Sequence, residues 1–236
     1  MNRRKFLSVC SIALARLQQL RNAGDPPPYG ANRLGIEEER DGTLYVPRSY
    51  KDNVAMPLLV MLHGLAGSAE SVEYTFPLAE EFGVIILAPE SRNITWGRYM
   101  AGFDEDSSYI AAAFRYVQDI VHVDNSRVAL GGHSDGAGYA LGMGLAYGDV
   151  LNHLMIFSGG LMKPYRRKGK PRIFFAHGIN DTQMPIDLTA RKFAPQLRRE
   201  GYDVTLKEYP GGHRTPVPVV REAFEWFLVG KKKGLV

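Results

Sequence analysis

The amino-acid sequence predicts an α/β protein in which a mostly parallel β-sheet carries helices on both faces. Two near-continuous apolar runs, at 56–62 and 84–88, are typical of strands that are buried on both faces. Segments in which apolar residues recur at helical spacing lie between such runs, so strand and helix signals alternate along the chain. The 236 residues suit one domain of this kind better than two.

The predicted elements follow one another in regular order, with glycine and proline at several boundaries. Strands are predicted at 42–47, 56–62, 84–88, 127–131, 154–157, 172–176 and 204–208, and helices at 69–82, 106–121, 137–147, 187–201 and 217–228. Gly83 is a helix-stop signal, and Pro89 ends the strand before it. The stretch 159–171 is long enough only for a loop or a very short helix, so no large lid domain is expected.

Residues 1–33 are predicted to precede the folded domain, which then spans 34–236. Three prolines at 26–28 favour an extended linker. The opening string RRKFL at 3–7 resembles a twin-arginine export signal. The apolar stretch behind it is short and is followed by Arg16, so a cytoplasmic protein with a basic N-terminus is the alternative.

Composition argues against several kinds of site. Cys10 is the only cysteine, which leaves no disulfide and no thiolate metal site in the domain, and the sequence has no HExxH, GxGxxG or P-loop motif. We therefore expect neither a metal nor another cofactor. The net charge is +4, and the basic clusters at 163–172 and 231–233 are interpreted as solvated loop or tail charge, with a membrane or nucleic-acid contact as the alternative. Aromatic residues are not interleaved with the basic ones in a way that would stack nucleotides.

The expected partner is a small-molecule substrate. No nucleic acid is expected, and no stretch approaches the roughly 18 consecutive apolar residues of a membrane span. The oligomeric state does not follow from the sequence.

The segment 132–136, GHSDG, fits the pattern GxSxG and lies between a predicted strand and a predicted helix. A serine at such a turn has a strained backbone, so the residues two positions away on either side have to be very small. The turn also points the hydroxyl at the N-terminus of the helix, where the dipole favours a developing negative charge. These features predict that Ser134 is a nucleophile. The alternative is a glycine-rich turn that only packs tightly.

A serine hydroxyl needs a base, and after a turn of this type the chain order is serine, acid, histidine. Three of the six histidines follow Ser134. His153 begins a strand before any suitable acid, whereas His213 follows the last predicted strand in the loop YPGGH, whose glycines let the imidazole reach the serine. We predict His213 as the base. His63 and His177 are interpreted as residues that close strand ends through hydrogen bonds.

The acid is expected on the loop that leaves the strand before His213. Asp181, in the string HGIND, meets this condition, and its carboxylate would orient the imidazole and stabilise the imidazolium. Asp187 is the rival, but it stands at a predicted helix start, where aspartate is expected for capping alone. The predicted triad is therefore Ser134, Asp181 and His213.

Two backbone N–H groups are expected to bind the oxyanion that forms during acyl transfer. One is the N–H of Asp135, directly after the nucleophile. The other is expected from the glycine-containing loop after the strand 56–62, where Leu65 is the first choice and Ala66 the second.

A loop between 91 and 104 is a candidate wall of the substrate pocket. Its large apolar side chains are Trp96, Tyr99, Met100 and Phe103. They could line an acyl or aromatic pocket, and the alternative is that they pack the loop onto the core.

Four strings, LHGLAGS, GGHSDGAG, HGINDTQMP and YPGGH, resemble those of bacterial phospholipase/carboxylesterase-type serine hydrolases. They also resemble, more distantly, polyhydroxyalkanoate depolymerase and feruloyl esterase-like hydrolases, and the likeness extends from residue 41 to residue 228. It implies an α/β-hydrolase fold with the same triad and with oxyanion donors on Leu65 and Asp135. The carboxylesterase branch usually has glutamine after the serine, and an ionised Asp135 that faced the site would repel anionic substrates.

The leading hypothesis is a serine carboxylesterase that forms an acyl-enzyme on Ser134 and hydrolyses it with water. A serine peptidase is the second hypothesis because the same triad cleaves amides, although the chain lacks the propeller or cap that usually screens peptides in this fold. The third is a non-catalytic binding module on a hydrolase scaffold, against which the complete triad speaks. Neither the acyl nor the alcohol part of a substrate follows from these motifs.

Overall fold

The computed structural model describes residues 27–97, 104–159, 164 and 166–229. The strands are β1 (Gly30–Arg33), β2 (Gly42–Val46), β3 (Met56–Leu62), β4 (Ile85–Pro89), β5 (Val123–His133), β6 (His153–Phe157), β7 (Arg172–Gly178) and β8 (Val204–Tyr209). The α-helices are α1 (Phe76–Phe82), α2 (Glu105–Ile120), α3 (Asp135–Ala146), α4 (Ala190–Arg199) and α5 (Val217–Leu228), and two 3-10 helices span Ala69–Thr75 and Ile186–Leu188.

The eight strands form one sheet in the order β1-β2-β4-β3-β5-β6-β7-β8. β1 pairs antiparallel with β2, and β2 pairs antiparallel with β4, whereas the remaining pairs are parallel. This topology confirms the predicted mostly parallel sheet. The carboxyl ends of the parallel strands lie at one edge, so the loops that follow β3, β4, β5, β7 and β8 meet there.

Both faces of the sheet are buried, as the apolar runs predict. Leu58 and Val60 of β3 belong to a hydrophobic cluster with residues of α2, α3 and α4. Leu59 and Met61 point to the other face and pack with the 3-10 helix Ala69–Thr75, α1 and α5. All four side chains are fully buried, and burying a side chain of this size stabilises the fold by roughly 1.5–3 kcal/mol.

The sheet starts earlier in the chain than the sequence predicts. β1 begins at Gly30, inside the segment predicted as linker, and pairs with β2 from Gly30 opposite Val46 to Arg33 opposite Thr43. The predicted boundary near Leu34 is therefore four residues too late. The residues of this short edge strand are only partly buried and include no apolar run, so they carry no strand signal.

Two predicted helices are each divided in two. The segment 69–82 is a 3-10 helix up to Thr75 and an α-helix from Phe76 to Phe82, and Gly83, which follows it, has φ 65° in the left-handed region. The segment 187–201 is a 3-10 turn followed by α4, because the backbone of Thr189 (φ −126°, ψ −101°) interrupts the helical path. Hydrophobic spacing marks the buried face of such segments but does not show these breaks.

The predicted export signal and the basic residues 231–233 lie outside the described residues. None of the helices in the described ranges is long and apolar enough to cross a membrane.

Candidate active site

Ser134 stands at the turn between β5 and α3, with φ 57° and ψ −115°. A positive φ is uncommon for a residue with a side chain, and tight packing on both sides of the turn accompanies it. A Cβ on Gly132 would lie 2.5 Å from the carbonyl carbon of Gly136, and a Cβ on Gly136 would lie 2.3 Å from the carbonyl oxygen of His63. Both close contacts are with backbone atoms, so only glycine fits at these two positions.

A hydrogen-bonded chain of three side chains starts at this serine. Oγ of Ser134 lies 2.7 Å from Nε2 of His213, which stands in the loop after β8. Nδ1 of His213 lies 2.8 Å from Oδ2 of Asp181, in the loop after β7. An ionised carboxylate only accepts, so Nδ1 carries the proton and the lone pair of Nε2 faces the hydroxyl. The structure thus brings together the three residues that the sequence singles out.

The loops after β7 and β8 approach each other closely. A Cβ on Gly178 would lie 2.2 Å from the carbonyl oxygen of Gly212, and two backbone hydrogen bonds of 2.9 and 3.0 Å join the two loops. This junction places Asp181 and His213 side by side.

The carboxylate of Asp181 is fully buried, and both of its oxygens have partners. Oδ1 accepts the N–H groups of Gln183 and Met184 at 3.0 and 2.9 Å, and Oδ2 accepts His213 and lies 3.3 Å from Nε2 of His177. Burial on its own raises the pKa of Asp181, but the hydrogen bonds from Met184 and His213 outweigh it and hold the pKa below its usual value. The carboxylate is therefore ionised at neutral pH.

Asp187, the rival candidate for the acid, is not buried and does not contact the imidazole of His213 in the structure. Its side chain is 74% exposed and pairs with Nη1 of Arg191 at 3.0 Å. The predicted capping role is wrong, because α4 starts only after Thr189 and the side chain of Asp187 caps neither helix. Asp187 is a surface carboxylate with an ion pair to a nearby arginine.

Asp135 is the first residue of α3. The first hydrogen bond of the helix is donated by Gly138 N–H to Ser134 O at 3.1 Å, so the N–H of Asp135 has no acceptor within the helix. The side chain of Asp135 turns to the loop after β4. There Oδ2 accepts the hydroxyl of Thr95 at 2.6 Å and the N–H of Trp96 at 3.1 Å. This oxygen is therefore bound by protein donors beside the nucleophile.

The loop after β3 lies directly beside the nucleophile. A Cβ on Gly64 would lie 3.6 Å from Cβ of Ser134. The N–H of Ala66, the second-choice oxyanion donor, already donates to the carbonyl oxygen of Ile94 at 2.8 Å. For the N–H of Leu65, the first choice, the described part of the chain provides no backbone acceptor.

Trp96 is the one candidate pocket residue within the described ranges; Tyr99, Met100 and Phe103 lie outside them. Trp96 is 2% exposed, belongs to the core cluster and packs its ring against that of His63. Its Nε1–H donates to the carbonyl oxygen of His63 at 2.8 Å. Trp96 thus takes the alternative role, that of packing the loop onto the core.

The two histidines interpreted as structural are both buried and hydrogen-bonded. Nε2 of His63 accepts the N–H of Ser91 at 3.1 Å, and Nε2–H of His177 donates to the carbonyl oxygen of Met184 at 2.7 Å. Burial lowers the pKa of both rings. Each therefore joins the end of a strand to a neighbouring loop as a neutral imidazole.

The sequence assigned no role to His133, which contacts the candidate base. Its Nε2–H donates to the backbone carbonyl oxygen of His213 at 2.9 Å, and the two ring centroids are 4.9 Å apart. Burial is the largest effect on His133 and lowers its pKa. The two residues are 80 positions apart, so no local pattern in the sequence marks this contact.

The arrangement can carry out acyl-transfer chemistry. A neutral imidazole can take the serine proton while Oγ attacks an electrophilic carbon, and N–H groups beside the serine can hydrogen-bond the oxygen of that carbon as it becomes negative. Among the described residues, no group of three or more His, Cys, Asp or Glu side chains could hold a metal ion.

Comparison with known proteins agrees with this chemistry. The sequence profile of the Phospholipase/Carboxylesterase family matches residues 49–227. A probable feruloyl esterase C of Aspergillus oryzae is 29% identical over 179 residues, which are 71% of this chain and 65% of the fungal protein. An acyl-protein thioesterase 1 of Gibberella zeae is 27% identical over 140 residues, 53% of this chain and 59% of that protein. The chain thus covers less than two thirds of the length of these relatives.

Solved structures share the fold at lower sequence identity. The fluorophosphonate-binding serine hydrolase F of Staphylococcus aureus has a TM-score of 0.67 and 17% identity, over 87% of this chain and 100% of that one. A ferulic acid esterase of Anaeromyces mucronatus has a TM-score of 0.59 and 17% identity, over 84% of this chain and 87% of that one. The fold is therefore the α/β-hydrolase fold, and the chain belongs to the phospholipase/carboxylesterase family.

Proposed function

We propose that this protein hydrolyses carboxylic esters through an acyl-enzyme on Ser134. The observation that carries the proposal is the continuous chain Ser134–His213–Asp181, with contacts of 2.7 and 2.8 Å between consecutive side chains. Contacts of this length are within reach for proton transfer without rearrangement of the loops.

The first half of the reaction acylates the serine. Oγ of Ser134 attacks the ester carbonyl carbon while Nε2 of His213 takes its proton. The carbonyl oxygen becomes an oxyanion that accepts the N–H groups of Leu65 and Asp135. When the tetrahedral intermediate collapses, the imidazolium returns the proton to the leaving alcohol oxygen and the C–O bond breaks.

The second half releases the acid. A water molecule gives a proton to Nε2 of His213 and attacks the acyl carbon, and the same two N–H groups bind the second oxyanion. Collapse returns the proton to Oγ of Ser134 and frees the carboxylic acid. Asp181 stays ionised throughout; it holds Nδ1–H of the imidazole and stabilises the imidazolium.

The class of substrate is proposed from the site and from the relatives. Ser134 is partly exposed and the stretch 159–171 is too short for a lid domain, which together favour an open site that acts on soluble esters with short or medium acyl groups. The similarity to proteins named feruloyl esterase and acyl-protein thioesterase makes aromatic acyl esters and thioesters the substrates to include beside simple alkyl esters.

The proposal is tested with p-nitrophenyl esters from acetate to palmitate, together with a methyl ferulate, a thioester and a peptide p-nitroanilide. We expect saturable hydrolysis of short esters that disappears in Ser134→Ala. Faster turnover of the anilide than of every ester would identify a peptidase. No turnover of any substrate by the folded wild-type protein would identify a non-catalytic scaffold.

A further inference from the structure

The side chain of Asp135 binds a loop rather than standing free beside the nucleophile. Its Oδ2 accepts two donors of the segment 91–97, the hydroxyl of Thr95 and the N–H of Trp96, at 2.6 and 3.1 Å. A hydroxyl and a backbone N–H that converge on one carboxylate oxygen make charge-assisted hydrogen bonds, which are stronger than neutral ones. The middle of the segment is therefore tied to the start of α3.

A second carboxylate fixes the two ends of the same segment. Asp106, near the start of α2, is buried. Its Oδ1 accepts the N–H of Arg92 and its Oδ2 accepts the N–H of Gly97, both at 2.6 Å. Asp106 thus spans the segment from end to end, and Asp135 holds the part between.

The segment in turn supports the loop that carries Leu65. The carbonyl oxygen of Ile94 accepts the N–H of Ala66 at 2.8 Å. The indole Nε1–H of Trp96 donates to the carbonyl oxygen of His63, also at 2.8 Å. These two hydrogen bonds hold the loop at His63 and at Ala66, on either side of Leu65. The peptide group that contains the N–H of Leu65 therefore lies between two fixed points.

We propose that Asp135 is a positioning residue for the oxyanion hole: its carboxylate holds the segment 91–97, which fixes the direction of the N–H of Leu65. The residue after the nucleophile then contributes twice, with its own N–H as one donor and with its side chain as the support of the other. This inference rests on the proposed function. It also assigns the carboxylate a role other than repulsion of anionic substrates.

A purely local role for Asp135 makes different predictions. A carboxylate in the first turn of a helix stabilises the helix through its dipole, and removing it would lower thermal stability without a specific effect on kcat. Glu105 provides a matched control, because it is an exposed acidic residue at the first position of α2. Glu105→Ala removes a carboxylate that interacts with the helix dipole and leaves the hydrogen bonds of the segment 91–97 in place.

The experiment compares Asp135→Ala, Asp135→Asn, Thr95→Val and the double variant Asp135→Ala/Thr95→Val on p-nitrophenyl acetate. Loss of one oxyanion donor lowers kcat by about 100- to 1,000-fold, and a misdirected donor should lose part of that, so we expect Asp135→Ala to lower kcat by about 10- to 100-fold with little change in KM. Asp135→Asn keeps an acceptor oxygen for Thr95 and Trp96 and should retain most of the activity. Glu105→Ala should match the wild type.

Two further measurements separate positioning from general damage. The Ki of a trifluoromethyl ketone, which forms an oxyanion on the serine, should rise in proportion to the loss of kcat/KM. In the double variant, Thr95→Val should add no loss to that of Asp135→Ala, because both changes release the same contact. If Asp135→Ala does not fold, Thr95→Val alone carries the test, since it removes only a hydroxyl.

The inference is overturned if folded Asp135→Ala and Thr95→Val keep the wild-type kcat and the wild-type Ki, or if their losses add fully in the double variant. This outcome is distinct from failure of the proposed function. The proposed function fails if the folded wild-type protein hydrolyses no ester, or if Ser134→Ala hydrolyses p-nitrophenyl acetate as fast as the wild type, and both results are read without any variant of Asp135.

Discussion

Replacing Asp181 with asparagine turns one buried oxygen into nitrogen, and the surroundings decide which one. The oxygen at the Oδ1 position accepts the N–H groups of Gln183 and Met184 at 3.0 and 2.9 Å. An amide nitrogen placed there would face two donors and lose both hydrogen bonds, each worth about 0.5–1.5 kcal/mol. The amide oxygen therefore takes this position, and the amide nitrogen faces Nδ1 of His213.

That placement reverses the tautomer of the imidazole. The amide donates to Nδ1, so the ring proton moves to Nε2, which lies 2.7 Å from Oγ of Ser134 and can then no longer accept the serine proton. A neutral amide also fails to stabilise the imidazolium. We expect kcat to fall by about 1,000- to 10,000-fold, which corresponds to about 4–5.5 kcal/mol of transition-state stabilisation.

The assay is the initial rate of p-nitrophenyl acetate hydrolysis, with thermal unfolding to show that each variant is folded. Asp187→Asn is the matched control, because it makes the same substitution at an exposed carboxylate that pairs with Arg191. It should leave kcat unchanged and alter the free energy of unfolding by less than about 1 kcal/mol. The reasoning is refuted if folded Asp181→Asn keeps more than about a tenth of the activity, or if Asp187→Asn is the inactive variant.

Other perturbations test the turn, the buried carboxylate and the access to the site. Gly136→Ala places a methyl group 2.3 Å from a backbone oxygen, so the free energy of unfolding in urea should fall by about 1–3 kcal/mol; an unchanged midpoint would contradict the account of the turn. Because the folded state lowers the pKa of Asp181, its ionised form stabilises the protein above the unfolded-state pKa of about 3.9, and this contribution is lost as the pH falls through the folded-state value. The stability difference between wild type and Asp181→Asn should therefore stay constant above about pH 5 and narrow as the pH falls below the unfolded-state pKa of about 3.9, and a difference that does not change with pH would count against this linkage. Since Ser134 is partly exposed, hydrolysis of tributyrin should not rise sharply when the substrate passes its solubility limit; a jump at the oil–water interface would indicate a lid.

Hydrophobic pattern predicts the parts of the fold whose burial it reflects. The run at 56–62 and the helix at 217–228 have the predicted bounds in the structure, because each contributes apolar side chains to the core. β1 carries no such pattern, since an edge strand is held by backbone hydrogen bonds to one neighbour and needs no apolar side chains. The start of β5 is missed for a related reason: polar residues at 124–126 lie in the strand but outside the core.

In the candidate site, too, the sequence identifies some features and not others. Ser134, Asp181 and His213 can be selected from the sequence because chain order and position after a strand leave few candidates for each role. The hydrogen bonds that hold the surrounding loops in place cannot be selected in this way. The bond from Thr95 to Asp135 joins residues 40 positions apart, and that from His133 to His213 joins residues 80 apart. Such contacts follow from which strands are neighbours in the sheet, which no local pattern records.

The central claim is that Ser134 is the nucleophile activated by His213. The most direct measurement treats wild type, Ser134→Ala and His213→Gln with a fluorophosphonate and locates the adduct by mass spectrometry of the digested protein. The account predicts one adduct on wild type, on the peptide that contains Ser134. It also predicts no adduct on Ser134→Ala and labelling slowed by about 1,000-fold or more in His213→Gln. An adduct on any other residue, or equal labelling of Ser134→Ala, would contradict it.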